Sequence, residues 1–296
     1  MVRRIIGRFG NVFLVLGAAG VGVAVPHLGP YLDPLITPLV VFLVYTSLQG
    51  LRLAEIDYSS YALLIALSLC LSYLLLPVVG TRIAESVLRD TALVGFAIAL
   101  SVPTTAGSAI VWTRLACGDV QLATIISIVS LLIAPAATPI VLTQLVGSQF
   151  TVPAASILTD LVVIVGGGVL LTAIVPSDSI SPALVERGST LAILLLIYTA
   201  VAGVDAFGIA GSSLLAIVGV SVLLFGFGLG VTAVCERGLG VARKRAIPLF
   251  FATSLKNLGI ALLISIPLAD PLVTVSIIVY YVVQQVGGAL IADATT

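Results

Sequence analysis

Lys256 is the residue whose placement most demands a chemical explanation. It stands alone in an otherwise uncharged apolar span from Ala246 to Leu268, about ten residues from either edge. An ammonium near a bilayer midplane costs roughly 3 kcal/mol or more. A chain keeps such a group where it faces a watery cavity or a partner, so the position reads as a substrate or ion site. Snorkelling to an interface is the alternative, and the depth of Lys256 in its span argues against it. Thr253, Ser254 and Asn257 flank the lysine with further polar groups.

A second polar interruption runs Ser101-Val102-Pro103-Thr104-Thr105-Ala106-Gly107-Ser108. Pro103 lacks an amide donor and clashes with the carbonyl four residues back, which predicts a kinked or broken helix. Freed backbone groups in hydrocarbon persist only where protein or cavity water satisfies them. Thr104, Thr105 and Ser108 supply hydroxyls there, and a half-helix beginning at Thr104 points a partly positive end inward, a seat for an anion. A proline kink capped by threonines, with no ligand, is the structural alternative. The candidate binding residues are therefore Thr104, Thr105 and Ser108, then Ser254, Lys256 and Asn257, with Tyr281 and Gln284 from the last apolar run. Tyr280 and Gln285 join that last set, and Thr46, Ser47 and Gln49 form another; each set serves either a ligand or contacts between helices. Ser127 and Ser130 are read as bonding to their own helix. Asp160 is a proton carrier, a counter-ion for Lys256 or a plain interfacial residue, the last being favoured.

Composition sets the environment of these groups. The 296 residues are 60% hydrophobic and 9% charged, against about 25% charged in soluble domains; the mean hydropathy is +1.27. This is an integral membrane protein. Zero net charge and the lack of a basic tract exclude a nucleic-acid surface. The three cysteines (Cys70, Cys117, Cys235) are far apart, and His27 is the single histidine, so neither a disulfide framework nor a metal site is expected. No Ser-His pair, paired Asp or His-Glu cluster falls in the apolar runs, which argues against an intramembrane hydrolase. No cofactor is expected.

Apolar runs of roughly 20 residues span a membrane as helices. Ten are present, near 9–25, 35–52, 60–79, 92–116, 120–146, 153–175, 185–205, 212–235, 246–268 and 271–291. The expected fold is all-α, with ten transmembrane helices joined by short connections. The first run follows Arg3, Arg4 and Arg8 and is read as a retained helix rather than a cleaved signal. With the N-terminus inside, ten Lys and Arg residues lie on the inner side, and Arg82 and Arg89 on the outer. Both termini are thus expected in the cytoplasm of a multi-pass plasma-membrane protein. Five helices per half, 1–147 and 148–296, would enter the membrane in opposite senses, the arithmetic of an inverted repeat. The polar interruptions then fall at equivalent places, helices 4 and 9, so both are expected to be broken. Gly166-Gly167-Gly168 is read as allowing close helix packing.

These residues carry a resemblance. Pro103-Thr104-Thr105 through Ser108 to Gly118-Asp119, then Ile125 to Pro139, resembles helices 4 and 5 of the bile acid/sodium symporter superfamily. Ser254-Leu255-Lys256-Asn257-Leu258 and Val279-Tyr280-Tyr281-Val282-Val283-Gln284 look closest to its SBF-like branch, with its Pro-Thr-Thr turn, Ser-x-Lys-Ser-Leu turn and Tyr-His-x-x-Gln segment. The resemblance implies a panel of helices 1, 2, 6 and 7. It also implies a core whose crossed, unwound helices 4 and 9 hold ions and substrate. Departures are informative. Sodium-coupled members carry Glu and Gln where this chain has Ala252 and Lys256. Their Ser-Asn in helix 4 reads as Ser108-Ala109, and two helix 5 hydroxyl positions fall on Ala123 and Ser127. Lys256 and Ser127 thus stand at the cation-site positions. The ammonium either occupies the cation position permanently or cycles as a proton carrier.

The expected function is secondary transport of a small organic anion across the bilayer by alternating access, independent of sodium, with the proton as the coupling ion if there is one. Efflux of a toxic oxyanion or metalloid, and sodium-coupled organic acid symport, are the alternatives.

Overall fold

In a computed structural model, residues 2–49, 58–88, 91–147, 153–175, 179–202 and 211–295 are described. All of their regular structure is helical. Helix α1 (Val2–Ala24) leads through two short 3-10 turns and α2 (Gly29–Leu32) into α3 (Ile36–Leu48). Helices α4 (Tyr58–Cys70) and α5 (Leu76–Val87) are one continuous rod with a π-helical turn, Leu71–Leu75, at its middle. After them come α6 (Ala92–Ser101), α7 (Ala106–Leu115), α8 (Val120–Val146), α9 (Ala154–Ile174), α10 (Pro182–Ala202) and α11 (Gly211–Gly238). The chain ends with α12 (Arg243–Ser254), α13 (Leu258–Ser265) and α14 (Pro271–Thr295).

Among the described residues, seven helical rods are long and apolar enough to cross a membrane. The other three apolar runs read from the sequence appear as shorter apolar helices, Phe13–Ala24, Ala92–Ser101 and Leu258–Leu268. The last two are short because their runs are interrupted. Length and composition therefore support seven spans directly, fewer than the ten expected.

Burial follows from the patterning of each helix. Every residue of α6 and of α13 is buried; both are apolar on all sides, as a helix surrounded by protein must be. Helices α9 and α11 expose rows of large apolar side chains, among them Val162, Leu170, Leu215 and Val222, the surface expected to face lipid. One cluster joins α1 to α10 and α3 to both α9 and α10. Its tightest contact is at Gly168, where a Cβ atom would lie 2.3 Å from Val44 Cγ1; the glycine is what lets α9 and α3 approach. A second cluster gathers α6, α7, α11 and α13 around α14.

Candidate functional site

The two interrupted helices meet at their breaks. Val102 to Thr105 and Leu255 to Asn257 leave the helical path and pair as an isolated antiparallel bridge between Thr104 and Lys256. Thr105 N donates to Leu255 O at 3.1 Å, and Asn257 N donates to Pro103 O at 2.9 Å. Side chains satisfy what the bridge leaves over. Thr104 N donates to Ser130 Oγ at 3.0 Å, Thr104 Oγ1 to Ala252 O at 2.6 Å, and Thr138 Oγ1 to Ser101 O at 3.0 Å. Lys256 N donates to Gln284 Oε1 at 3.0 Å. This accounting explains how seven residues of extended backbone persist inside a helical core.

The Lys256 side chain leaves the bridge toward the π turn. Its Nζ donates to Ser72 O and Ser72 Oγ, each at 2.8 Å, and sits 5.4 Å from the centre of the Tyr73 ring. The residue is only 3% exposed. The availability of Ser72 O has a local cause. In the π turn the Leu76 amide bonds back to Leu71 O, so Ser72 O would need the amide of residue 77. That residue is Pro77, which has none. Lys256 Nζ takes the orphaned carbonyl. Tyr73 closes the seat from the other side, donating to Ser130 O at 2.8 Å while Ser130 Oγ donates to its hydroxyl at 3.2 Å. Among the described residues no carboxylate pairs with Lys256. Ser72 and Tyr73 were not singled out from the sequence; the available signal was a serine five residues before a proline in an apolar run.

Beside the crossing lies a cavity of about 280 Å³. One wall is α7 and α14, through Gly107, Ser108, Trp112, Tyr281 and Gln285; the other is α1 and α10, through Leu14, Val15, Glu186, Ser189 and Ile193. Helix α13 rests on α3 and α10, whereas α7 rests on α8, α12 and α14, leaving its other face to the cavity. The first turn of α7 has no side-chain cap. The first turn of α13 is capped, Asn257 Oδ1 accepting from Ile260 N at 3.1 Å.

Ser108, Trp112 and Gln285 form one network. Trp112 Nε1 donates to Gln285 Oε1 at 3.2 Å, and Gln285 Nε2 donates to Ser108 Oγ at 3.0 Å. An indole nitrogen only donates, so the amide orientation is set: Ser108 accepts from Gln285 and keeps its own proton for another partner. Tyr281 lines both this cavity and a small void of about 10 Å³ beside Lys256 and Asn257.

The sequence candidates thus separate into groups. Thr104, Lys256, Asn257 and Gln284 belong to the crossing, while Ser108 and Tyr281 line the cavity. Thr105 uses its amide in the bridge and is partly exposed. Ser254 is buried against α11, where a Cβ on Gly228 would lie 2.1 Å from its hydroxyl oxygen, and it does not line the cavity. Ser127 donates to Ala123 O of its own helix at 2.8 Å; Ser130, read the same way, instead joins the crossing. Thr46 accepts from Ser189 at 3.1 Å, a contact between α3 and α10. Asp160 is exposed, 3.5 Å from Ser156 Oγ, and lines a separate cavity of about 260 Å³ that also holds Asp270. Lys256 Nζ bonds elsewhere.

An all-helical, multi-pass apolar chain with two unwound helices interlocked beside a cavity has the build of a membrane transporter. The chain belongs to the SBF-like CPA transporter family (DUF4137), whose model matches residues 12–296. No curated protein matches it.

Proposed function

We propose that this protein is a secondary carrier for a small organic anion, a carboxylate, with the cavity beside the crossing as its substrate site. The observation that carries the reading is the first turn of α7: uncapped, and lining the cavity with Gly107 and Ser108. A helix start with free amides favours negative charge, and Ser108, Gln285 and Tyr281 add donors around it. Two five-helix halves, 1–147 and 148–296, of opposite orientation would account for the matched breaks. Rocking of the α1–α3–α9–α10 panel against the remaining helices would expose the site alternately on the two sides of the plasma membrane. The termini then lie in the cytoplasm.

Coupling to sodium is not part of this reading. Sodium needs several oxygen ligands with negative charge, and Ala252 and Lys256 provide neither. The Lys256 ammonium, bonded to Ser72, takes the role of a tethered cation and is the group through which any proton coupling would run. Cys117 is not among the cavity-lining residues, which argues against metalloid efflux.

The test is uptake of labelled valerate by proteoliposomes, with sodium replaced by choline at fixed pH and voltage. Initial rates are expected to be unchanged. A fall of about tenfold or more would show a sodium site; a sodium ion about 5 Å from the ammonium would be repelled by roughly 3 kcal/mol at an effective dielectric near 20.

A further inference from the structure

The walls of this cavity differ in chemistry. On the α7–α14 side, Ser108 keeps a free O–H, Gln285 keeps a second N–H, and the Tyr281 hydroxyl donates or accepts. On the α1–α10 side the hydroxyl protons are engaged within the protein, that of Ser189 shared between Val185 O at 2.8 Å and Thr46 Oγ1 at 3.1 Å and that of Thr190 on Glu186 O at 3.0 Å. What remains on that side is the Glu186 carboxylate, an acceptor with a negative charge. Among the described residues no lysine or arginine lines the space, and Lys256, only 3% exposed, turns its ammonium to Ser72 instead. A simple carboxylate would meet donors on one wall and a like charge on the other. A ligand carrying an ammonium at its far end would satisfy both walls, and Val15, Val111 and Ile193 between them suit a short methylene chain.

We propose that the cavity selects a zwitterion, an amino-carboxylate whose two charges are separated by a short alkyl chain. The carboxylate lies against Ser108, Gln285 and Tyr281, and the ammonium lies toward Glu186. This rests on the carboxylate reading above and sharpens it to a substrate class.

Trp112, the single tryptophan in the chain, lines the cavity, so its fluorescence reports occupancy of this site. Purified protein is titrated with valerate, δ-aminovalerate, norvaline and pentylamine. δ-Aminovalerate is expected to bind about tenfold more tightly than valerate or norvaline, a factor limited by the solvent exposure of Glu186. Glu186→Gln is expected to weaken δ-aminovalerate and tighten valerate, opposite signs that a merely structural role would not produce; Glu186→Asp is expected to keep the preference. Equal binding of valerate and δ-aminovalerate, tighter binding of norvaline than of δ-aminovalerate, or an unchanged ratio in Glu186→Gln overturns the zwitterion and leaves the carboxylate carrier standing. Pentylamine binding as tightly as δ-aminovalerate, or no response to any carboxylate, overturns the carboxylate reading itself.

Discussion

The break after α6 and the break after α12 share an extended backbone path, yet the half-helices that follow them begin differently. Helix α13 starts under the Asn257 cap, is buried at every residue and is wedged against α3 and α10. Helix α7 starts without a cap, and its Gly107 and Ser108 line open space. One start is closed by the chain's own atoms and the other is left available. The breaks also differ in origin. Pro103 marks the first, whereas Leu255 to Asn257 contain no proline and unwind equally. What the two have in common is each other: the bridge hydrogen bonds, Ser130 and Gln284 satisfy both. The interlock, more than the proline, holds the helices open.

Lys256 anchors one break to the π turn and has no counterpart in the other, so the largest effect is expected there. Lys256→Met relieves a buried charge, so the protein should insert and fold. It removes two hydrogen bonds from a charged donor, worth about 3 kcal/mol together, and uptake should fall about 100-fold. Wild-type rates in the purified variant would refute the role of Lys256. Ser108→Ala and Tyr281→Phe test the open side. Each removes one donor to the bound carboxylate and should raise the KM for uptake about tenfold with little change in thermal stability; an unaltered KM in both would move the substrate out of this cavity.

Two smaller effects sharpen the contrast. Asn257→Ala deletes the α13 cap and should cost about 1 kcal/mol of stability, seen as a drop of a few degrees in the melting temperature in detergent. Thr105→Ala, at the equivalent place before α7, deletes no cap bond and should leave the melting temperature where it was. Equal drops would mean that the two starts do not differ as described. Pro103→Ala should be the mildest. Re-forming a continuous helix would recover roughly one hydrogen bond of about 1 kcal/mol and sacrifice several at the bridge, so uptake should change by less than about threefold. Collapse of uptake there would return the cause of the break to the proline.

Several of these features were legible in the residues. The depth of Lys256 in its apolar run reads directly from the chain, as does the interruption at Pro103, because transfer cost and a missing amide are properties of single positions. The helix 9 break was visible only by analogy with helix 4. Ser72 and Tyr73 were not visible at all: the sequence shows that Pro77 strands a carbonyl one turn before it, without indicating which one or who takes it. Ser254 and Ser108 look equivalent as hydroxyls beside a break, yet Ser254 packs on Gly228 while Ser108 lines the cavity, a difference set by which helix lies behind each.

By itself, then, the sequence determined an apolar helical chain in a membrane and one lysine too deep to be incidental. Hydropathy and the cost of burying a charge act residue by residue and need no partner to be read. The tertiary structure decided that Lys256 bonds to Ser72, 184 residues away, that the two breaks satisfy one another, and that donors and Glu186 face across one cavity. Each of these is a pairing between distant groups. Packing alone selects which donor meets which acceptor.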